Sequence, residues 1–143
     1  MSTLEKAIAI AAKAHEGQVD KAGAPYLLHP IRVMLKCSSI EERITAILHD
    51  VVEDGGVTIA DLRQEGFSET ILEAVDSVTI RPSESYEDFV LRAATNPIGK
   101  TVKLADLEDN CDLSRISNPT DRDYARINKY RRAVEFLYGH RRE

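Results

Sequence analysis

Helix start signals recur along the sequence, and apolar residues at helical spacing follow them. In a capping box, Ser or Thr stands three positions before an acidic residue, and both side chains bond the free N–H groups of a helix start. The pairs that fit or approximate this pattern are Ser2 with Glu5, Ser38 with Glu41, Ser39 with Glu42, Thr58 with Asp61, and Ser85 with Asp88. Alternating runs typical of strands are scarce. The sequence therefore predicts an all-α fold, a bundle of seven or eight helices.

The length of 143 residues suits one domain with a single core and is too short for two ordinary domains. We expect a single domain over residues 1–143, because no linker rich in Gly, Ser or Pro divides the chain. Charged residues interrupt every apolar run, so no membrane span is expected. The first residues lack a signal-peptide pattern, and Cys37 and Cys111 have no metal-type spacing. A cytoplasmic location with reduced thiols is the expectation.

The charge of the chain is unevenly distributed. The net charge is −5, yet the segment from Arg122 onward holds seven Lys/Arg against three Asp/Glu. Such a basic helix could attract RNA or an anionic ligand. It could equally be the solvated face of a helix that packs against the acidic remainder of the chain. No nucleic-acid-binding motif accompanies the charge, so a nucleic-acid partner is not expected.

The stretch AILHDVVEDGG, residues 46–56, places ionisable side chains within a helical apolar pattern. Read as one helix, it turns four polar residues to one side: His49, Asp50, Glu53 and Asp54. Like charges one turn apart are unfavourable by about 0.2–0.5 kcal/mol when solvated, and burial makes this worse unless a cation compensates. The adjacent imidazole and carboxylate are both metal donors. This stretch therefore indicates a metal site.

Two residues elsewhere are candidates to complete that site. His29 stands directly before Pro30, which is predicted at the first position of a helix, and the fixed backbone angle of this proline would orient the turn. Asp106 follows an apolar segment, where a carboxylate needs a partner. Each has a structural explanation when taken alone, because His29 could cap a helix and Asp106 could pair with Lys103 or Arg115. A metal site is favoured because these two residues occur together with the adjacent pair His49–Asp50 and with the acids that follow it, Glu53 and Asp54.

Three segments carry a family resemblance: AHEGQVDKAGAPYLLHP, AILHDVVED, and VKLAD followed by Asn110. In this order and spacing they resemble the hydrolase domain of RelA/SpoT-type proteins, a branch of the HD-domain metal-dependent phosphohydrolases. The resemblance covers roughly residues 4–116 and is closest to the single-domain small alarmone hydrolases. It implies the HD-domain helical bundle. It also implies release of pyrophosphate from the 3′ position of guanosine tetra- or pentaphosphate, (p)ppGpp.

The resemblance also implies a role for each matching residue. Four positions would hold Mn²⁺: His29, His49, Asp50 and Asp106. Two acids would orient the attacking water or take its proton: Glu53 and Asp54. Two residues would contact a small anionic nucleotide substrate: Lys21 and Asn110. Donor chemistry alone does not choose the ion, since two nitrogens and two oxygens suit Mn²⁺, Fe²⁺ or Zn²⁺.

The sequence departs from the family pattern beside the site. Asp20 stands where many members have arginine, and Leu107 and Asp109 replace the arginine and histidine of the usual ADRLHN. Residues 111–113 replace the MRT that follows. The ligand positions are kept, whereas an acidic Asp20 is expected to repel a polyphosphate. Four cations are candidates to compensate: Lys100, Lys103, Arg115 and Arg126.

Two other functions are consistent with the sequence. The departures from the family pattern at Asp20 and in residues 107–113 are compatible with an HD phosphohydrolase that acts on another nucleotide or a nucleotide cofactor. A non-catalytic regulator that binds a metal ion or a nucleotide is the other alternative, with the basic last helix as its docking face. A homo-oligomer is compatible with any of these functions.

Overall fold

The computed structural model describes residues 2–140, and within them the chain forms helices and no strand. In chain order the helices are α1 (Leu4–Ala14), α2 (Leu28–Leu35), α3 (Ile40–Leu48), α4 (Val51–Asp54), α5 (Ile59–Gln64), α6 (Glu69–Ser77), α7 (Tyr86–Ala94), α8 (Pro97–Asn110) and α9 (Asp121–His140). The all-α prediction is confirmed. These nine segments of the described residues become eight when the single turn α4 is counted with α3, and the prediction was seven or eight helices.

Several helices begin where the sequence predicts. Ser39 and Glu42 form a complete capping box at the start of α3, and Thr58 and Asp61 form another at α5. Asn96 caps α8, and its side chain accepts the N–H of Gly99 at 2.9 Å. Local side-chain chemistry therefore determines these starts.

Two helix starts differ from the prediction. Thr3 rather than Ser2 caps α1, because the Ser2 hydroxyl donates instead to the carbonyl of Glu65. Helix α2 begins at Leu28, so Pro30 lies inside its first turn rather than at its first position. A proline is tolerated there, since the first-turn N–H groups have no partner within the helix.

Helices α3 and α8 lie at the centre of the fold. Helix α3 packs against α1, α2, α6 and α8, while α8 also packs against α2, α6, α7 and α9. Helix α8 buries Val102 and Leu107 among apolar neighbours, but it also buries three charged residues: Lys103, Asp106 and Asp109. Buried charges are costly unless they are paired, so the centre of α8 requires compensating groups from the neighbouring helices.

The end of α4 is held close to α1. A Cβ atom at Gly55 would lie 2.7 Å from the Cβ of Ala14, so only glycine fits at this contact. The next residue, Gly56, has φ of +71°, which a residue with a Cβ rarely adopts. The Gly-Gly pair therefore ends α4 and fixes it against α1, which positions the acidic turn before it.

Two expectations for the whole chain can be compared with the structure. Cys37 is buried and Cys111 is half-buried, and both are free thiols. Among residues 2–140, no helix combines the length and the apolar character that a membrane span requires.

Candidate metal centre

The four predicted ligands come together from three parts of the chain. His29 lies in the first turn of α2, Asp106 lies on α8, and His49 and Asp50 form the turn between α3 and α4. One donor atom each from His29, His49 and Asp106 lie within 4.8 Å of one another, and all three residues are buried. The Oδ2 atom of Asp50 lies 3.0 Å from His49 Nε2 and 3.9 Å from His29 Nε2. This group could hold a metal ion.

The sequence pattern predicted one continuous helix through His49 and Asp50. In the structure the helix is interrupted at these two residues. Helix α3 ends at Leu48 and α4 begins at Val51, with Asp50 at φ −108° and ψ −1° between them. Consecutive side chains of a regular helix diverge by about 100°. The break relieves this divergence and allows the Asp50 carboxylate to reach the imidazole of His49.

The tautomer of His49 follows from its hydrogen bond to the backbone. Its Nδ1 lies 2.6 Å from the carbonyl oxygen of Ala46, which can only accept, so the proton of the neutral ring is on Nδ1. The lone pair of Nε2 then faces the carboxylates of Asp50 and Asp106. Nε2 is buried and has no hydrogen-bond partner. A buried orphan nitrogen beside two carboxylates fits a metal donor set.

The charges around His49 favour a positive charge in the pocket. Burial lowers the pKa of His49, but the negative charges of Asp50 and Asp106 outweigh it, so the pKa is raised well above its usual value. The pocket therefore has an excess of negative charge that a cation can neutralise.

His29 is held between two carboxylates of α8. Its Nε2 lies 2.9 Å from Asp106 Oδ1, and its Nδ1 lies 2.7 Å from Asp109 Oδ2. Arg32, one turn further along α2, donates to both oxygens of Asp109 at 2.8 and 3.1 Å. In the sequence, Asp109 stands out only as a departure from the family pattern. The i, i+3 spacing of His29 with Arg32 and of Asp106 with Asp109 was the signal that could have revealed the contact.

Asp106 is the most heavily bonded carboxylate of the group. The Lys103 ammonium donates to its Oδ2 at 2.9 Å, and Asn110 Nδ2 donates to its Oδ1 at 3.2 Å. Burial raises the pKa of Asp106, but Lys103 and the two imidazoles lower it by a larger amount, so the pKa lies well below its usual value. Asp106 is therefore ionised, as a carboxylate metal ligand must be.

Tyr26 contributes a contact that the sequence did not predict. Its hydroxyl donates to Asp50 Oδ2, the carboxylate oxygen that faces both imidazoles. Burial and the Asp50 charge raise the pKa of Tyr26, so the phenol stays protonated and remains a donor. Tyr26 therefore orients the Asp50 carboxylate towards the centre.

Glu53 and Asp54 lie one turn beyond the ligands, on α4. Carboxylate oxygens of Asp50, Glu53 and Asp54 lie within 4.8 Å of one another, and the last two residues are exposed. The Glu53 carboxylate also accepts the N–H of Ile80 at 3.3 Å. Partial burial and the neighbouring Asp50 charge raise the pKa of both Glu53 and Asp54. A carboxylate with a raised pKa is a better proton acceptor near neutral pH.

Two cavities flank the centre and meet at four residues that line both: Tyr26, His29, Asn110 and Tyr130. The smaller, of about 280 Å³, contains His49, Asp50, Glu53 and Asp54. The larger, of about 400 Å³, has cationic residues in its wall: Lys21, Arg32, Arg115 and Arg126. An extended anionic molecule could occupy both cavities with its reacting group beside the candidate ligands.

The predicted substrate contacts lie in different places. Asn110 lies between the two cavities, whereas Lys21 lies in the exposed loop that borders only the larger one. Asp20 also lines the larger cavity, and its Oδ1 accepts the N–H groups of Ala22 and Ala24 at 2.9 and 3.0 Å. The carboxylate of Asp20 thus stabilises the loop that presents Lys21.

The four cations that could compensate for the negative charge of Asp20 lie in different cavities. Arg115 and Arg126 line the larger cavity, and Lys103 lines the smaller one. Lys100 lines a different cavity with Glu108, away from the predicted ligands. Within the basic last helix, Arg126 therefore faces the site, while Lys129 packs over the ring of Tyr86 at 4.1 Å.

Comparison with known proteins places this site in a family context. Residues 7–88 match the sequence profile of the HD domain family. A guanosine-3′,5′-bis(diphosphate) 3′-pyrophosphohydrolase of Aquifex aeolicus is 32% identical over 119 residues, 75% of this chain and 17% of that protein. A GTP pyrophosphokinase of Myxococcus xanthus is 29% identical over 145 residues, 89% of this chain and 19% of that protein. The chain spans less than a fifth of the length of these relatives.

A solved structure shares the fold. It was described under the heading "A metazoan ortholog of SpoT hydrolyzes ppGpp and plays a role in starvation responses". The TM-score is 0.79 at 23% identity, and the match covers 96% of this chain and 85% of that one. The solved structure therefore has the same helical arrangement as the chain described above.

Proposed function

The chain belongs to the HD domain family, and on that premise we propose that it is a metal-dependent phosphohydrolase releasing pyrophosphate from the 3′ position of guanosine tetra- or pentaphosphate. One observation carries the proposal above all. The buried, unpartnered Nε2 of His49 lies beside the carboxylates of Asp50 and Asp106, and Glu53 and Asp54 follow one turn later. We treat residues 1–143 as one catalytic domain.

The proposed ion is Mn²⁺, held by His29, His49, Asp50 and Asp106. Two imidazole nitrogens and two carboxylate oxygens suit Mn²⁺ and are compatible with Fe²⁺ or Zn²⁺. When bound, such an ion supplies positive charge that lowers the pKa of a water molecule and stabilises negative charge on a phosphoryl group.

The chain's own residues would prepare the reacting groups. Tyr26 and Lys103 hold the carboxylates of Asp50 and Asp106 in place through direct hydrogen bonds. Glu53 and Asp54 lie at the open side of the centre with raised pKa values. We assign them to orient the attacking water and to take its proton.

The substrate proposal rests on the two cavities and on the relatives. The phosphates to be cleaved would lie in the smaller cavity, and the remainder of the nucleotide would extend past Asn110 into the larger one, near Lys21. The Aquifex aeolicus relative is named for the guanosine 3′-pyrophosphohydrolase reaction. A second candidate substrate, another phosphorylated nucleotide, is favoured by Asp20, because a carboxylate on the cavity wall opposes a polyphosphate.

The test is pyrophosphate release from ppGpp by the purified protein with Mn²⁺. Asp50→Asn is the inactive reference. Glu69→Gln, which removes an exposed carboxylate bonded to Arg63, is the matched surface control. Release by the wild type and the Glu69 variant but not by the Asp50 variant supports the proposal. If ppGpp stays intact while a panel of other nucleotides is hydrolysed, the second candidate is correct. If no nucleotide in the panel is hydrolysed, the chain is not the proposed enzyme.

A further inference from the structure

Asp109 of α8 is buried, with 4% of its surface exposed, and it is not among the residues that approach the centre directly. Its Oδ2 lies 2.7 Å from Nδ1 of His29, while the opposite ring nitrogen faces Asp106. The residue therefore contacts a proposed metal ligand from behind, on the side away from the ion.

The contact with Asp109 places a hydrogen on Nδ1 of His29. Asp109 is bonded through both oxygens to the guanidinium of Arg32, at 2.8 and 3.1 Å, so its carboxylate is ionised and can only accept. A contact of 2.7 Å between this oxygen and Nδ1 requires a hydrogen on Nδ1. Nε2 faces Asp106 and Asp50, at 2.9 and 3.9 Å, so a cation bound between these groups would take the place of any hydrogen on Nε2 while Nδ1 keeps its own.

We propose that Asp109 is a positioning residue for metal binding, fixing the ring and tautomer of His29, and that Arg32 in turn holds Asp109. This inference rests on the proposed metal site. A carboxylate behind a metal-binding imidazole also raises the donor strength of the ring, and loss of such a partner typically lowers metal affinity by about 10–100-fold.

The arrangement links the metal centre to the larger cavity. Arg32 is 28% exposed on its side chain and lines that cavity, while its guanidinium fork is bonded to Asp109. Arg115 also approaches Asp109, with 3.6 Å between Nη2 and Oδ2. Two arginines of the cavity wall thus lie close to one buried carboxylate.

The proposal can be tested by metal affinity alone, without turnover. The free Mn²⁺ ion is titrated by its electron paramagnetic resonance signal against wild-type protein, Asp109→Asn and Arg32→Gln. Glu69→Gln is the matched control, because Arg63 bonds both Glu69 oxygens at 3.0 and 3.1 Å on the exposed surface. Thermal unfolding of each metal-free variant shows whether it is folded.

We expect Asp109→Asn to weaken Mn²⁺ binding by about 10–100-fold, and Arg32→Gln to weaken it less, because the bond from Asp109 to His29 remains. Glu69→Gln should bind as the wild type does. If Asp109→Asn is folded and binds Mn²⁺ as tightly as the control, the positioning role is wrong and the metal site stands. If Asp109→Asn fails to fold, unchanged affinity in Arg32→Gln overturns the role instead. A wild type that binds no Mn²⁺ overturns the proposed function, and this inference with it.

Discussion

The Nε2 atom of His49 lies 3.0 Å from the Oδ2 atom of Asp50, although the two residues are neighbours in the chain. The break between α3 and α4 makes this contact available, because a regular helix would turn the side chains about 100° apart. Asp106 completes the contact from α8, with its Oδ1 3.3 Å from the same nitrogen. One interhelical turn thus supplies two donors to the same point.

Replacement of Asp50 should abolish metal binding and turnover together. Asp50→Asn removes the charge of a proposed ligand and keeps its size, so the fold is expected to survive. Metal content of the purified protein, measured by inductively coupled plasma mass spectrometry, should fall from about one ion per chain to near zero. Full metal content in a folded Asp50→Asn protein would exclude Asp50 from the ligand set.

Replacement of Glu53 should separate metal binding from turnover. Glu53→Gln keeps the acceptor for the Ile80 N–H and removes the proton acceptor, so the metal content should equal that of the wild type. The rate constant kcat should fall by about 10²–10⁴-fold, the usual contribution of a positioned general base. Rates are compared at saturating substrate. A folded variant that loses its metal, or keeps its full rate, would refute the role of Glu53.

Lys103 should contribute most to the free energy of unfolding when no metal ion is bound. Its ammonium is buried, bonded to Asp106 and 4.6 Å from the centre of the Phe89 ring. Lys103→Met leaves the Asp106 charge without this partner, so the metal-free protein should lose about 3 kcal/mol of unfolding free energy. Mn²⁺ should reduce the loss, because the ion also compensates Asp106. Urea unfolding with chelator and with Mn²⁺ measures both, and equal losses would contradict this explanation.

Glu84 should stabilise the loop before α7 in a pH-dependent manner. Both its oxygens accept from Arg92, which also donates to the carbonyls of Asp76 and Thr79, and the bond to Arg92 helps lower the pKa of Glu84 from 4.5 to about 2. Because the pKa is lower in the folded state, the stabilisation is present above pH 4.5 and is lost as the pH falls towards 2.

The matching experiment compares the wild type with Glu84→Gln by urea unfolding from pH 6 to pH 3. The wild type should be more stable by about 1 kcal/mol at pH 6, a modest value because the pair is near the surface. The difference should decrease below pH 4.5. A difference that is constant or grows on acidification would show that the charge of Glu84 does not stabilise this loop.

Much of the fold could be predicted because its signals are local. The capping boxes at Ser39 and Thr58 involve residues three positions apart, and the structure shows both. The start of α1 could not be predicted in the same way. Ser2 bonds the backbone near Glu65, a contact that depends on where α5 ends in space.

The same distinction between local signals and distant contacts applies to the candidate site. His29, His49, Asp50 and Asp106 were identified from motif spacing and resemblance, and the structure brings them together. The residues that orient them were missed, because their contacts join distant segments: Tyr26 with Asp50, and Arg32 with Asp109. A single sequence does not reveal such pairs, since each residue has an ordinary local explanation.

The proposed metal centre is tested most directly by anomalous X-ray diffraction from crystals of the protein grown with Mn²⁺. We expect one strong peak within direct coordination distance of donor atoms of the four proposed ligands: His29, His49, Asp50 and Asp106. No peak there, or a peak only beside Glu53 and Asp54, would contradict the central claim that these four side chains form the metal centre.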